Sequence, residues 1–145
     1  PEGLILPVEL DNSNEAQTYG FELSSSWQVT PWWQTRASYS FLRLVGVEST
    51  DPHNRLYLQS SWDVTEDVEF DAILRYVDDV PNSSINKYTT MDLRLSWEPI
   101  DHMEVFVVGR NLFEGKHAEF YTDEYLVTEA TLVRREVFAG VSLRF

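Results

Sequence analysis

Three tryptophans, Trp27, Trp62 and Trp97, stand 35 residues apart, and the residues ahead of each follow one pattern. The blocks are Phe21-Glu22-Leu23-Ser24-Ser25-Ser26-Trp27, Leu56-Tyr57-Leu58-Gln59-Ser60-Ser61-Trp62 and Met91-Asp92-Leu93-Arg94-Leu95-Ser96-Trp97. Apolar or small residues fall at even steps from each Trp, with mostly polar residues between. A period of two is the mark of a strand with two unlike faces. Its recurrence at a fixed spacing means one supersecondary unit used again. No stretch carries a convincing helical period, so the chain is expected to be all-β.

A short turn follows each Trp: Thr30-Pro31, Val64-Thr65-Glu66-Asp67, and Glu98-Pro99-Ile100-Asp101. A second strand follows each turn, roughly Trp33–Leu44, Val68–Tyr76 and Met103–Leu112. The unit is a hairpin, and longer polar loops join one unit to the next at Val45–Asn54, Val77–Lys87 and Phe113–Thr131. A strand near Leu4–Leu10 precedes the loop Asp11–Gln17, and a last strand runs from about Val133 to Phe145. The expectation is one domain over residues 1–145, an antiparallel up-and-down meander of about eight long strands.

Composition narrows the partners. The formal charge of −13 repels phosphate backbones, which argues against nucleic acid. With no Cys there are no disulfides and no thiolate sites. The longest apolar runs, such as Leu4–Val8 and Val137–Val141, are far short of the ~20 residues of a spanning helix.

Alternation alone does not say which face is wet, since a membrane barrel turns apolar residues outward and a soluble sandwich turns them inward. Three features favour the barrel. Trp27, Trp32, Trp33, Trp62 and Trp97 lie beside the tight turns, while Tyr19, Tyr39, Tyr76 and Tyr88 lie toward the long loops. Two aromatic belts a strand apart suit the two interfaces of a bilayer. The strands run about 10–12 residues, against ~9–11 for a tilted crossing and ~5–6 in soluble proteins. The polar faces are also charged: Asp92 and Arg94 alternate with Leu93 and Leu95, and Glu69, Asp71 and Arg75 with Phe70, Ala72 and Leu74. Arg at mid-bilayer costs ~2–4 kcal/mol, so a slip by one residue is heavily penalised. Glu22, Gln28, Arg36, Arg55, Gln59, Asp71, Arg75, Asp92 and Arg94 are accordingly expected on the lumen side.

The order of short signals resembles a family. Tyr88 through Pro99, then Met103-Glu104-Val105, Gly109-Arg110-Asn111-Leu112-Phe113 and His117-Ala118-Glu119-Phe120, is similar to the C-terminal barrel strands of TonB-dependent outer-membrane receptors. Pro52-His53-Asn54 through Trp62, then Leu74-Arg75-Tyr76-Val77-Asp78, is similar to the preceding strand pair. The close on Val141-Ser142-Leu143-Arg144-Phe145 is similar to the family's terminal strand. The resemblance implies a segment of a barrel of about 22 strands whose lumen is plugged by an N-terminal domain. It also implies import of a scarce nutrient such as a ferric siderophore, powered through TonB by way of a plug that this stretch does not contain. Implied partners are outer-membrane lipid, the barrel-assembly machinery and a metal chelate carried by the parent receptor. A complete small eight-stranded barrel and a soluble β-barrel binding module are the competing architectures.

Candidate sites are few. Phe145, Leu143 and Val141, alternating up to the last residue, resemble the signal read by the barrel-assembly machinery. The loop acids and imidazole at Glu114, His117, Glu119, Asp123, Glu124 and Glu129 suit a cation by type, but without ligand spacing a solvated acidic loop explains them better. Asp11-Asn12-Ser13-Asn14-Glu15 lacks the Gly and distal Glu of a calcium loop. His53, His102 and His117 fall on separate loops or turns. No nucleophile elbow, zinc-protease motif or phosphate loop occurs, so neither an enzyme nor a cofactor is expected. Asp78-Asp79 reads as a solvated turn pair and Asn82-Ser83-Ser84 as a chance sequon.

Overall fold

Every alternating block folds as a strand, and most strands outrun the block that announced them. In this computed structural model, which describes residues 15–47, 49, 51–81, 83–119 and 131–145, nine strands follow in order. They are β1 (Gln17–Thr30), β2 (Trp33–Val45), β3 (Asn54–Thr65), β4 (Val68–Val77), β5 (Tyr88–Ile100), β6 (Met103–Arg110), β7 (Lys116–Ala118), β8 (Leu132–Arg134) and β9 (Glu136–Leu143). β1 to β6 and β9 form one antiparallel sheet in the order β1-β2-β3-β4-β5-β6-β9, and β7 pairs with β8. The expected strand near Leu4–Leu10 lies outside the described residues.

The 35-residue repeat extends into the backbone. Two-residue turns fall at Pro31-Trp32, Glu66-Asp67 and Asp101-His102, each one repeat from the next. Just before each turn the ladder slips by one residue, between Gln28 and Thr30, Asp63 and Thr65, and Trp97 and Ile100. Such bulges sharpen the local twist beside a turn. The residue after each of the last two repeat tryptophans then reaches across to the preceding turn. Asp63 N–H donates to the Trp32 carbonyl and Glu98 N–H to the Asp67 carbonyl, at 2.9 and 2.8 Å. Arg144 N–H makes the equivalent bond to His102 at 2.9 Å.

Two boundaries differ from expectation. Glu98 and Pro99 belong to β5 and not to the third turn, because the slip between Trp97 and Ile100 leaves Pro99 without a ladder bond to supply. The last strand is two strands, broken at Arg135, whose N–H donates to the Gly115 carbonyl. Opposite the break β6 stops at Arg110 and not Leu112, and Asn111 turns away at φ 50°. β7–β8 thus continues the β6–β9 hairpin past a bend.

Among the described residues nothing packs on the apolar face, and only the short β7–β8 hairpin lies against the other. The buried Val80 and Ile85 make only a small cluster inside the β4–β5 loop, tied by Val80 N–H to the Ile85 carbonyl. Leu23, Val137 and Leu143 are 63, 67 and 57 % exposed although they sit in regular strands. A soluble β-barrel module needs a dry interior, and these residues build none. The sheet is also open: β1 and β9 each have one pairing edge free among the described residues, unlike a closed barrel.

Candidate functional site

Strand register sorts the side chains into two opposed faces. On one face, from β1 to β9, lie Phe21, Leu23, Trp27, Thr35, Ala37, Tyr39, Leu58, Ala72, Leu74, Leu93, Leu95, Val105, Val107, Ala139, Val141 and Leu143. Between its aromatic ends this face carries no charge; its only paired charged residue is Arg43, opposite Tyr19 at the loop end. The other face holds Glu22, Arg36, Arg55, Asp71, Arg75, Asp92, Arg94, Glu104, Arg110 and Glu136. All seven charged residues expected to share one side do share it, together with Gln28 and Gln59.

The apolar face is bounded by aromatic rings at both ends. At the turn end Trp32, Trp33, Trp62 and Phe70 form a stacked ladder across two hairpins, with successive centroids 6.4, 6.3 and 5.4 Å apart. Trp33 Nε1 donates to Ser60 Oγ at 2.8 Å, so the indole has a polar partner. Trp27 and Trp97 flank the ladder on the same face, more than half exposed. At the loop end Phe21 meets Tyr39 and Phe41 at 5.7 and 5.9 Å. From Trp27 to Tyr19 is eight steps of ~3.3 Å, which a ~40° tilt turns into about 20 Å of height.

A polar cap closes the loop end of that face. Tyr39 Oη donates to Asn54 Oδ1 at 2.6 Å, and Asn54 Nδ2 donates to Asp78 Oδ2 at 2.6 Å. Tyr76 Oη donates to the other Asp78 oxygen at 3.3 Å. The Asn54 bond, foremost, holds the Asp78 carboxyl below its ordinary range. Asp78, expected as a solvated turn residue, is instead tied into this cap, and its position two residues past Tyr76 was the available signal.

Tyr88 does not join the loop-end tyrosines. It pairs with Val77 on the charged face, where its ring stacks on His117. Parity foretold this, because Tyr88 stands nine steps from Trp97, an odd number.

The charged face is a network. Arg75 Nη1 donates to Asp92 Oδ2 at 2.7 Å, Arg94 pairs with Glu104, and Arg110 Nη1 meets Glu136 Oε1 at 3.3 Å. Arg94 and Arg110 also sit over the rings of Phe106 and Phe138, at 5.6 and 5.2 Å. Ser61 Oγ donates to Asp71 Oδ1 at 2.6 Å. Arg36 Nη2 donates to Gln34 Oε1 at 3.3 Å and Arg55 pairs with Asp51 at 3.4 Å.

The family-like signals of the sequence converge beside this network. Asp92 Oδ1 accepts the Asn111 N–H at 2.9 Å, and Asn111 Nδ2 donates to the Val133 carbonyl at 3.3 Å. His117, paired across from Val133, stacks on Tyr88, with Nε2 3.1 Å from Glu119 Oε1. These contacts hold β7–β8 against the charged face. They wall a groove of about 900 Å³ over Arg75, Asp92 and Arg94. Of the loop residues suited by type to a cation, His117 meets Glu119 while Glu114 accepts the Thr89 N–H; Asp123, Glu124 and Glu129 lie outside the described residues, as does Asn82. His53 and His102 lie far along the chain from it, His102 in a turn at φ 72°.

Past β9, Phe145 is fully exposed, while Val141 and Leu143 hold their places on the apolar face.

Residues 5–112 match the family described as TonB dependent receptor-like, beta-barrel. A similar solved structure is the ferric-catecholate import receptor Fiu from E. coli K12, in an open form. It aligns at a TM-score of 0.74 and 18 % identity over 90 % of this chain and 21 % of that one, a likeness of fold. The chain therefore spans about a fifth of that receptor's length. No curated protein sequence matches it. The open meander, its two opposed faces and the matched residues agree: this chain belongs to the TonB-dependent receptor β-barrel family.

Proposed function

We propose that this chain forms part of the barrel wall of an outer-membrane receptor that imports a scarce nutrient, such as a ferric siderophore, with energy delivered through TonB. Its apolar face meets lipid and its charged face lines the lumen. One observation carries this: the charge-free face bounded by aromatics is uncovered, and only a hydrocarbon medium makes such a face favourable. The aromatic residues at both of its ends suit the two interfaces of the bilayer. The siderophore is suggested by the ferric-catecholate import activity in the name of the similar receptor. Membership of a family of transport receptors speaks for transport over catalysis.

Partners follow from the same reading. Outer-membrane lipid covers the apolar face, TonB engages a plug outside these residues, and a metal chelate crosses the lumen. Phe145, with Leu143 and Val141, serves as the assembly signal; deleting Phe145 is expected to lower the amount of receptor assembled in the outer membrane.

The test is made with the complete gene. Its product is expected in the outer-membrane fraction, and a deletion strain is expected to lose growth on at least one ferric siderophore in a TonB-dependent way. A product that stays folded and monomeric in buffer without detergent would falsify the membrane assignment. Normal growth of the deletion strain on every ferric siderophore tried would remove the cargo assignment alone.

A further inference from the structure

Three polar atoms beside the charged face are buried with nothing to bond to. Thr90, Asn111 and His117 are 5, 2 and 8 % exposed. Thr90 Oγ1, Asn111 Oδ1 and His117 Nδ1 have no hydrogen-bond partner among the described residues. They gather at one place: Thr90 stands on β5 between Tyr88, on which His117 stacks, and Asp92, which accepts the Asn111 N–H. All three side chains line the groove walled by β7–β8. Its volume, about 900 Å³, lies within the ~300–1,000 Å³ of small-molecule sites. An unpaired buried polar atom carries its full desolvation cost, so three on one groove mark a place for a polar occupant.

Their chemistry restricts that occupant. Asn111 Nδ2 already donates to the Val133 carbonyl, which leaves Oδ1 as an acceptor. His117 Nε2 faces the Glu119 carboxylate, so in the neutral ring it carries the proton and Nδ1 offers a lone pair. Two acceptors and the Thr90 hydroxyl require a ligand that donates hydrogen bonds. Charge does not select it. Four arginines and four carboxylates line the groove, with Arg75 paired to Asp92 and Arg110 to Glu136.

We propose that this groove takes a neutral ligand rich in hydroxyl groups, an oligosaccharide, and that Thr90, Asn111 and His117 orient it. Each hydroxyl of such a ligand both donates and accepts, and the paired guanidinium and carboxylate groups offer both in turn. An oxyanionic chelate brings acceptors to acceptors and is disfavoured here. The β7–β8 hairpin, which pairs only three residues with three, is the cover that yields as the ligand reaches the buried atoms. The proposal rests on the lumen placement given above and concerns this groove alone.

The test uses the protein from its complete gene, folded in detergent and titrated calorimetrically with maltohexaose, cellohexaose, dextran fragments and a ferric tris-catecholate. At least one saccharide is expected to bind about tenfold or more tightly than the chelate. Its affinity is expected to hold between about 0.1 and 1 M salt, because no net charge is met. Thr90→Val keeps the shape of the side chain and removes its hydroxyl. It is expected to weaken saccharide binding about tenfold, the size of one hydrogen bond, while the unfolding midpoint holds or rises. Binding of no saccharide, or unchanged saccharide affinity in Thr90→Val, overturns the proposal. Tight binding of the ferric chelate alone overturns it too and leaves the import reading standing. A product that stays folded and monomeric without detergent removes the lumen placement as well.

Discussion

The ring of Tyr88 lies on the imidazole of His117, centroids 4.2 Å apart and planes 22° from parallel, joining the start of β5 to the short strand β7. The His117 side chain is 5 % exposed, and with the two Asn111 bonds the stack holds the β7–β8 hairpin over the charged face. β7–β8 pairs only three residues with three, too little to stand alone. His117→Ala is therefore expected to release the hairpin without unfolding the sheet. Hydrogen exchange is the measurement: protection at 116–118 and 132–134 should fall by an order of magnitude or more, with β3–β5 unchanged.

Asp92 serves two partners, Arg75 and the Asn111 N–H. Arg75 is 43 % exposed, so the ion pair itself is weakened by solvent, whereas Asp92 is only 19 % exposed. Asp92→Ala is expected to cost about 1–3 kcal/mol, most of it from the orphaned Asn111 N–H. Arg75→Ala is expected to cost less than 1 kcal/mol. Denaturant titration of the detergent-folded protein checks the order; an equal or larger loss for Arg75→Ala would contradict it.

Leu93 sits mid-strand on the apolar face, opposite Ala72 and Gly109, one residue from Asp92 and Arg94 on the other. Leu93→Arg is expected to lower folding stability in lipid by about 2–4 kcal/mol, the penalty for Arg near the bilayer midplane. Arg at Ile73, which pairs with Asp92 on the charged face, is expected to cost much less. Similar losses at the two sites in a bilayer folding titration would contradict the assigned sidedness.

The cap that Asp78 makes with Asn54 and Tyr76 is expected to depend on pH. A carboxyl held below its ordinary range in the folded state lends stability above its unfolded pKa and loses it as pH falls through the folded value. Stability at the loop end is thus expected to be complete at neutral pH and to decline as pH falls from the ordinary carboxylate pKa toward the lowered folded one. Asp78→Asn should flatten that acid limb when unfolding midpoints are compared across pH.

The repeat of Trp27, Trp62 and Trp97 already contained the long strands, their tight turns and the sharing of charge and grease between two faces, while Tyr88, expected among the loop-end aromatics, stands on the charged face. All of these follow from a period of two, a local property of strand geometry. The bend at Asn111 that splits the last strand, and the gathering of Tyr88, Asp92, Asn111 and His117 at one spot, came only with the folded sheet. They depend on contacts between residues far apart in sequence, whose partners are set by packing and backbone pairing and leave no mark on either residue alone.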